Sequence, residues 1–213
     1  MKTKNFFDNA TIEAFKPAEK IGIVATINDL GLPHISLITS MMAKNEKTLL
    51  LGQFCQGLSK QYLAQRPQAG FLVMTLDKKL WRGKAKWQQT LTEGEDYEAY
   101  NNIPMFRYNT YFGINTVHYL DLIEVSDEAL PMVSIVGASL LSTVAKNFVS
   151  VQRGEKVLKP FAENLFNGFS SLKFIAYIGK DGFPVLFLQS KQGWQVQRWL
   201  FFHRLPMVMS WIK

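Results

Sequence analysis

Several features that would classify a chain at once are missing here. There is one cysteine, Cys55, which excludes an intramolecular disulfide framework. The histidines are His34, His118 and His203, and neither they nor Cys55 fall at zinc-binding spacings. No Gly-x-Ser-x-Gly elbow, Walker A loop or Gly-x-Gly-x-x-Gly turn occurs. The longest uncharged stretch, 129–145, has 17 residues and is broken by Pro131, three serines and Thr143, too short and too polar for a membrane span. Residues 1–8 lack the apolar core of a signal peptide, so the expected location is the cytoplasm, with no membrane partner. Acidic residues stop at Asp181; Lys191, Arg198, Arg204 and Lys213 follow unopposed, leaving residues 1–181 with 20 basic against 17 acidic, a net +3 of the total +7. A local basic tail differs from the basic stripe that recruits nucleic acid, so a nucleic-acid partner is not expected.

With 213 residues, 47% hydrophobic and 19% charged, the chain has a globular composition and is long enough to bury a core. Residues 21–27 are β-branched and uncharged and read as a buried strand. Asn28-Asp29-Leu30-Gly31 turns the chain, because Asn, Asp and Gly tolerate positive φ. Strands follow over 34–39 and 48–54, with Asn45-Glu46-Lys47 as the turn between them, and the three read as an antiparallel meander. A helix runs over 58–66 and is stopped by Pro67. Further strands are expected over 69–76, 80–87 (with Gly83 marking a bulge or a close approach) and 117–125. Thr92 and Glu95 form a capping-box pattern before a helix through Tyr100. This count suggests a closed barrel.

Beyond residue 126 the pattern changes. Residues 134–148 and 158–166 have helical character, with Gly168 as a C-cap. A hairpin over 174–188 then repeats 23–37 at an offset of 151, with five of 15 positions identical, among them Gly31/Gly182 and Pro33/Pro184. The division expected is a barrel domain over 1–126 and, packed on it, a C-terminal helical segment with the partial repeat over 127–213. The tail interleaves Trp194, Arg198, Trp199, Phe201, Phe202, His203 and Arg204, a pattern that suits packing on protein and could also stack on single-stranded nucleic acid or lie on anionic lipid.

The run Ile23-Val24-Ala25-Thr26, Gly31-Leu32-Pro33-His34-Ile35-Ser36, Leu49-Leu50-Leu51, Leu58-Ser59-Lys60, Arg66-Pro67 and Arg82-Gly83-Lys84-Ala85 resembles the pyridoxamine 5'-phosphate oxidase-like, FMN-binding split β-barrel family. The resemblance covers residues 15–126. It implies a mainly β, α+β fold: an antiparallel split β-barrel with peripheral helices, here with an extra C-terminal hairpin. It also implies a homodimer with FMN at the subunit interface and a flavin-dependent redox function. The FMN contacts it implies map to Ser36, Leu37, Ile38 and Thr39, to Gln53 and Phe54, and to Ser59 and Lys60, with Trp81 or Arg82 against the cofactor. Many members carry arginine where Ser36 stands, which leaves Lys60, with Arg82, to supply the charge.

The residues allow plainer roles too. A Ser-Lys pair at a helix start is commonly a cap with a solvated charge. His34 and His118 suit strand positions facing water or a neighbouring chain. Trp81 and Trp87 suit the core or a dimer interface. Cys55 suits an inert thiol. No general acid–base pair stands out, which a flavin enzyme does not need, since the cofactor performs the redox step. The alternative function is a non-enzymatic module binding flavin or haem, or a cofactor-free barrel whose basic tail takes nucleic acid.

Overall fold

The computed structural model describes residues 3–109, 113–129, 172–189 and 207–212. The helices expected over 134–148 and 158–166, the Gly168 cap and the aromatic–basic tail over 194–204 lie outside the described residues.

Seven strands make one antiparallel sheet: β1 (Lys20–Ile27), β2 (Pro33–Leu37), β3 (Met41–Ala43), β4 (Thr48–Gln53), β5 (Gln68–Thr75), β6 (Lys79–Leu91) and β7 (Thr116–Ala129). Their order is β2-β1-β5-β6-β7-β4-β3. The two edge strands, β2 and β3, are consecutive in the chain and joined only by residues 38–40. A link of three residues reaches about 10 Å when extended. The edges must therefore lie close together, and the sheet curls shut into the antiparallel split β-barrel that the sequence implies.

The link is bonded on both sides. The Ile38 N–H donates to the Gly22 carbonyl at 2.7 Å, and the Gly52 N–H donates to the Ser40 carbonyl at 3.4 Å. Backbone leaves no room for a side chain at Gly22, and at Gly52 one would have to displace the end of Ile114. A Cβ on Gly22 would stand 2.2 Å from the Ile38 carbonyl oxygen, and one on Gly52 would stand 2.0 Å from Ile114 Cδ1. The meander expected over the first strands is thus only half formed. β1 and β2 pair as a hairpin, but β4 pairs with β3 and β7, because the link carries the chain from one edge of the sheet to the other.

Four helices surround the barrel: α1 (Asn9–Phe15), α2 (Leu58–Gln65), α3 (Glu95–Asn101) and α4 (Pro104–Asn109). The expected capping box at α3 does not form. Gly94, at φ 102°, is the N-cap and offers no side chain, while Glu95, Asp96 and Glu98 occupy the first turn, where the helix dipole favours them. At Gly83 the close approach holds: a Cβ there would meet the Glu124 carbonyl oxygen at 2.1 Å. The register shift lies one step on, between Lys84 and Ala85.

The triple leucine of β4 shows how the core is divided. Leu49 and Leu51 point into the barrel with Phe7, Phe15, Phe71 and Trp81, while Leu50 faces a second cluster with Tyr100, Phe106, Ile114 and Val117. That alternation is the strand's period of two. β4 is buried on both faces, so its sequence carries no polar side.

β8 (Leu172–Ile178), β9 (Pro184–Gln189) and β10 (Met207–Ile212) form a second sheet in the order β10-β8-β9. The turn between β8 and β9 reproduces the backbone bonds of the β1–β2 turn. Asn28 N–H to Leu32 O (2.9 Å) and Gly31 N–H to Asn28 O (2.9 Å) match Gly179 N–H to Phe183 O (2.8 Å) and Gly182 N–H to Gly179 O (3.0 Å). Gly31 and Gly182 have φ of 76° and 79°, so both turns depend on glycine. Among the described residues, no helix is long and apolar enough to cross a membrane.

Candidate functional site

Helix α2 runs antiparallel to β2 and meets it at three points. At its C-terminal end, Arg66 Nη1 donates to the Asn28 carbonyl at 2.5 Å and Nη2 to the Asp29 carbonyl at 3.3 Å, gripping the β1–β2 turn. In the middle, the His34 and Tyr62 rings pack edge to face at 5.3 Å. At its first turn, the Ser59 and Ser36 hydroxyls hydrogen-bond to each other, and Ser36 Oγ is 3.2 Å from His34 Nε2. The helix start is thereby fixed over the outer end of β2. Its N-cap is Gly57, which provides no side-chain acceptor; the Lys60 N–H turns back to the Gly57 carbonyl at 3.1 Å, which leaves the Leu58 and Ser59 N–H groups at the helix start.

Lys60 occupies the third position of this helix and is half-buried. Among the described residues it has no carboxylate partner. Burial lowers its pKa, and the nearby Cys55 thiol opposes that shift. Close enough to feel its charge is His118 on β7, which is 5% exposed.

The bonding of His118 fixes its tautomer. Trp87 Nε1–H, on β6, can only donate, and it points at His118 Nδ1 from 3.3 Å. Nδ1 must therefore be the acceptor and Nε2 carries the proton, which faces Gln53 Oε1 at 3.0 Å. Gln53 is oriented in turn by its Nε2–H to Asn115 Oδ1 at 3.1 Å. Burial, and next the Lys60 charge, push the imidazole pKa down to about 4. The ring is neutral at ordinary pH.

The residues expected from sequence thus fall into three groups. Ser36 and Ser59 join directly, while Gln53 bonds His118 and Lys60 acts on the same ring through its charge. Leu37 is exposed, Thr39 is half-buried and Ile38 is buried in the barrel core, so this stretch offers backbone and not a row of polar side chains. Phe54 packs on Phe106 at 5.5 Å, and its carbonyl accepts from Asn115 Nδ2–H at 2.8 Å.

Trp81 lies elsewhere. Its ring is 5% exposed inside the barrel, edge to face with Phe15 at 5.5 Å, which is the core position its sequence also allowed. Arg82, the next residue on β6, is half-buried between Leu72 and Ser126. His118 and Trp87 were not singled out for the site. An isolated histidine and tryptophan 31 positions apart carry no spacing signal, and only the pairing of β6 with β7 brings them together. Among the described residues, no three His, Cys, Asp or Glu side chains gather as metal ligands.

No protein-family model matches the chain, and no curated protein matches it in sequence. Among solved structures it is similar to HupZ of Group A Streptococcus, at 15% identity over 58% of this chain and 94% of that one, with a TM-score of 0.46. It is similar to an FMN-binding protein from Syntrophomonas wolfei subsp. wolfei at 14% identity over 51% and 77% of the two chains, with a TM-score of 0.43. It is also similar to a proposed pyridoxamine 5'-phosphate oxidase from Lactobacillus delbrueckii at 16% identity over 59% and 99%, with a TM-score of 0.46. These structures fix no ligand and no activity for this chain.

Proposed function

We propose that this protein binds FMN, with the phosphate at the start of α2 and the flavin ring along the backbone of residues 36–39, and that it acts as a flavin-dependent redox protein. The observation that supports this is Lys60: a half-buried ammonium without a carboxylate partner among the described residues, at an uncapped helix start. A phosphate would meet free N–H groups, the positive end of the helix dipole, the Ser59 hydroxyl and the Lys60 charge together. The neutral His118 adds no competing charge and leaves the ammonium free to face the anion. Ser36 contributes a hydroxyl where an arginine would have added charge, so Lys60 carries the larger share.

When bound, the flavin would supply the electron or hydride transfer. The chain's own part is to hold the phosphate and to offer N–H and C=O groups of a strand edge to the polar rim of the ring. We further propose a homodimer with the cofactor between subunits, because a site built on the outer edge of β2 is walled from one side only.

The test is spectroscopic. Purified protein reconstituted with FMN should be yellow and bleach on addition of dithionite. Lys60→Ala should weaken FMN binding by about 1.5–3 kcal/mol, the range for a hydrogen bond to a charged group, or roughly ten- to a hundredfold in Kd. Unchanged affinity would put the phosphate elsewhere. Sedimentation should give twice the mass of the single chain.

A further inference from the structure

A second feature lies where β1 begins. The chain entering β1 and the chain leaving β5 border an open cleft of about 390 Å³. Its walls are largely apolar, built from Ile21, Met74, Leu76 and Met105. Its charged lining is Lys20, Lys78 and Glu19, a net excess of one positive charge. The volume falls in the range of sites for small organic molecules, about 300–1,000 Å³.

Lys20 makes this cleft unusual. The residue is 5% exposed, although it carries an ammonium group. Lysine is almost never buried so far unless it is paired. Here its Nζ donates to the Pro17 carbonyl at 2.6 Å, one of the three hydrogen bonds an ammonium can make. Among the described residues no carboxylate forms an ion pair with it; Glu19, its chain neighbour, is near enough to be felt and no nearer. Burial pulls its pKa down to about 8, which reports an ammonium with lost hydration and no anion in its place. Lys78, also in the lining, closes the β5–β6 turn in a left-handed backbone conformation, φ 65°, its N–H donating to the Thr75 carbonyl at 3.0 Å. Leu76, beside it, is 79% exposed, so an apolar wall stands in water.

We propose that this cleft binds a small carboxylate with an apolar body, its head taken by Lys20 and its tail laid against Met74, Leu76 and Met105. The carboxylate supplies the acceptors that Lys20 lacks, and the tail covers the exposed leucine. A cationic ligand would leave Lys20 facing a like charge. A neutral one would cover the wall and leave the ammonium as it is. The cleft borders the stretch proposed for the flavin ring, since Thr39 lines it too, but the carboxylate is held by Lys20 and not by that stretch.

The experiment uses the full chain and three probes with one tail and different heads: octanoate, 1-octanol and octylammonium, titrated by calorimetry. Octanoate should bind at least tenfold more tightly than octanol, and octylammonium more weakly than either. Lys20→Met should remove the preference for octanoate while keeping octanol binding. A readout on the unmutated chain guards against a variant that fails to fold. At pH 8.5 octanoate binding should take up protons, seen as a dependence of the heat on the buffer's ionisation enthalpy, because the anion raises the proton affinity of Lys20. Equal affinity for octanoate and octanol, or octanoate binding without proton uptake at pH 8.5, overturns the proposal. Running each titration with and without FMN separates the two readings: octanoate preference in a chain that fails to hold FMN overturns the flavin reading alone.

Discussion

Protonating His118 should destabilise this protein, and the size of the effect follows from its surroundings. In the folded chain the imidazole accepts from Trp87 Nε1–H at Nδ1. A second proton would set two N–H groups face to face inside the barrel wall, beside the Lys60 charge. Burial, and after it the Lys60 charge, hold the folded pKa at about 4, against an ordinary 6.5. In the unfolded chain nothing opposes the proton. Above pH 6.5 neither state is protonated, and the stabilisation is complete. As the pH falls from 6.5 toward 4, the unfolded chain takes up a proton that the folded chain refuses, and stability drains away. Below about 4 both states are protonated, and the slope disappears. At about 1.4 kcal/mol for each pH unit of that gap, the loss is about 3 kcal/mol.

The assay is urea unfolding at pH 7.5, 6, 5 and 4.2 for the natural chain and for His118→Gln, which lacks the titrating ring. Asp8, with a pKa held near 2 by Lys4 and Thr11, and Lys20, near 8, titrate mostly outside this window. His34 does fall inside it, since burial lowers its pKa, but it is present in both proteins and cancels in the difference. The natural chain should lose about 3 kcal/mol more than the variant across the series. Parallel curves for the two proteins would show that His118 is free to protonate in the fold, and the bonding scheme around Trp87 and Gln53 would be wrong.

Other consequences can be measured more simply. Gly31→Val forces a β-branched residue to φ 76° and should destabilise the chain by about 1–3 kcal/mol; a neutral result in thermal unfolding would mean that the turn relaxes. Trp81→Ala empties a core position against Phe15 and should cost about 3–5 kcal/mol in chemical denaturation, whereas a loss confined to FMN binding would place the ring at the cofactor instead.

The parts of the fold legible in sequence were those fixed by local patterns. The six longer strands stand out because β-branched and apolar runs end at Gly, Pro or Asn turns, and α2 stands out because Pro67 ends it. β3 escaped notice because Met41–Ala43 is three residues long and is a strand only through its pairing with β4. α1 escaped because its signal is a lone N-cap, Asp8, bonded to the Thr11 N–H at 2.9 Å. The capping box at Thr92 and Glu95 was a false local signal, displaced by the left-handed Gly94. Of the candidate site, the Ser36–Ser59 contact joins a strand and a helix 23 positions apart, and the motif order placed both. The Trp87–His118–Gln53 chain draws on three strands, and each residue is ordinary in its own neighbourhood. Nothing short of the sheet pairing could assemble it.

An open sheet frays from its outermost strand inward, one backbone bond after another. The barrel has no such loose hem. Its two outermost strands share the tether of residues 38–40, which is laced to Gly22 on one side and Gly52 on the other. Neither strand can peel away without straining the other. Amide protons in β2 and β3 should therefore exchange with deuterium as one block, with a common opening free energy, despite lying at opposite ends of the strand order.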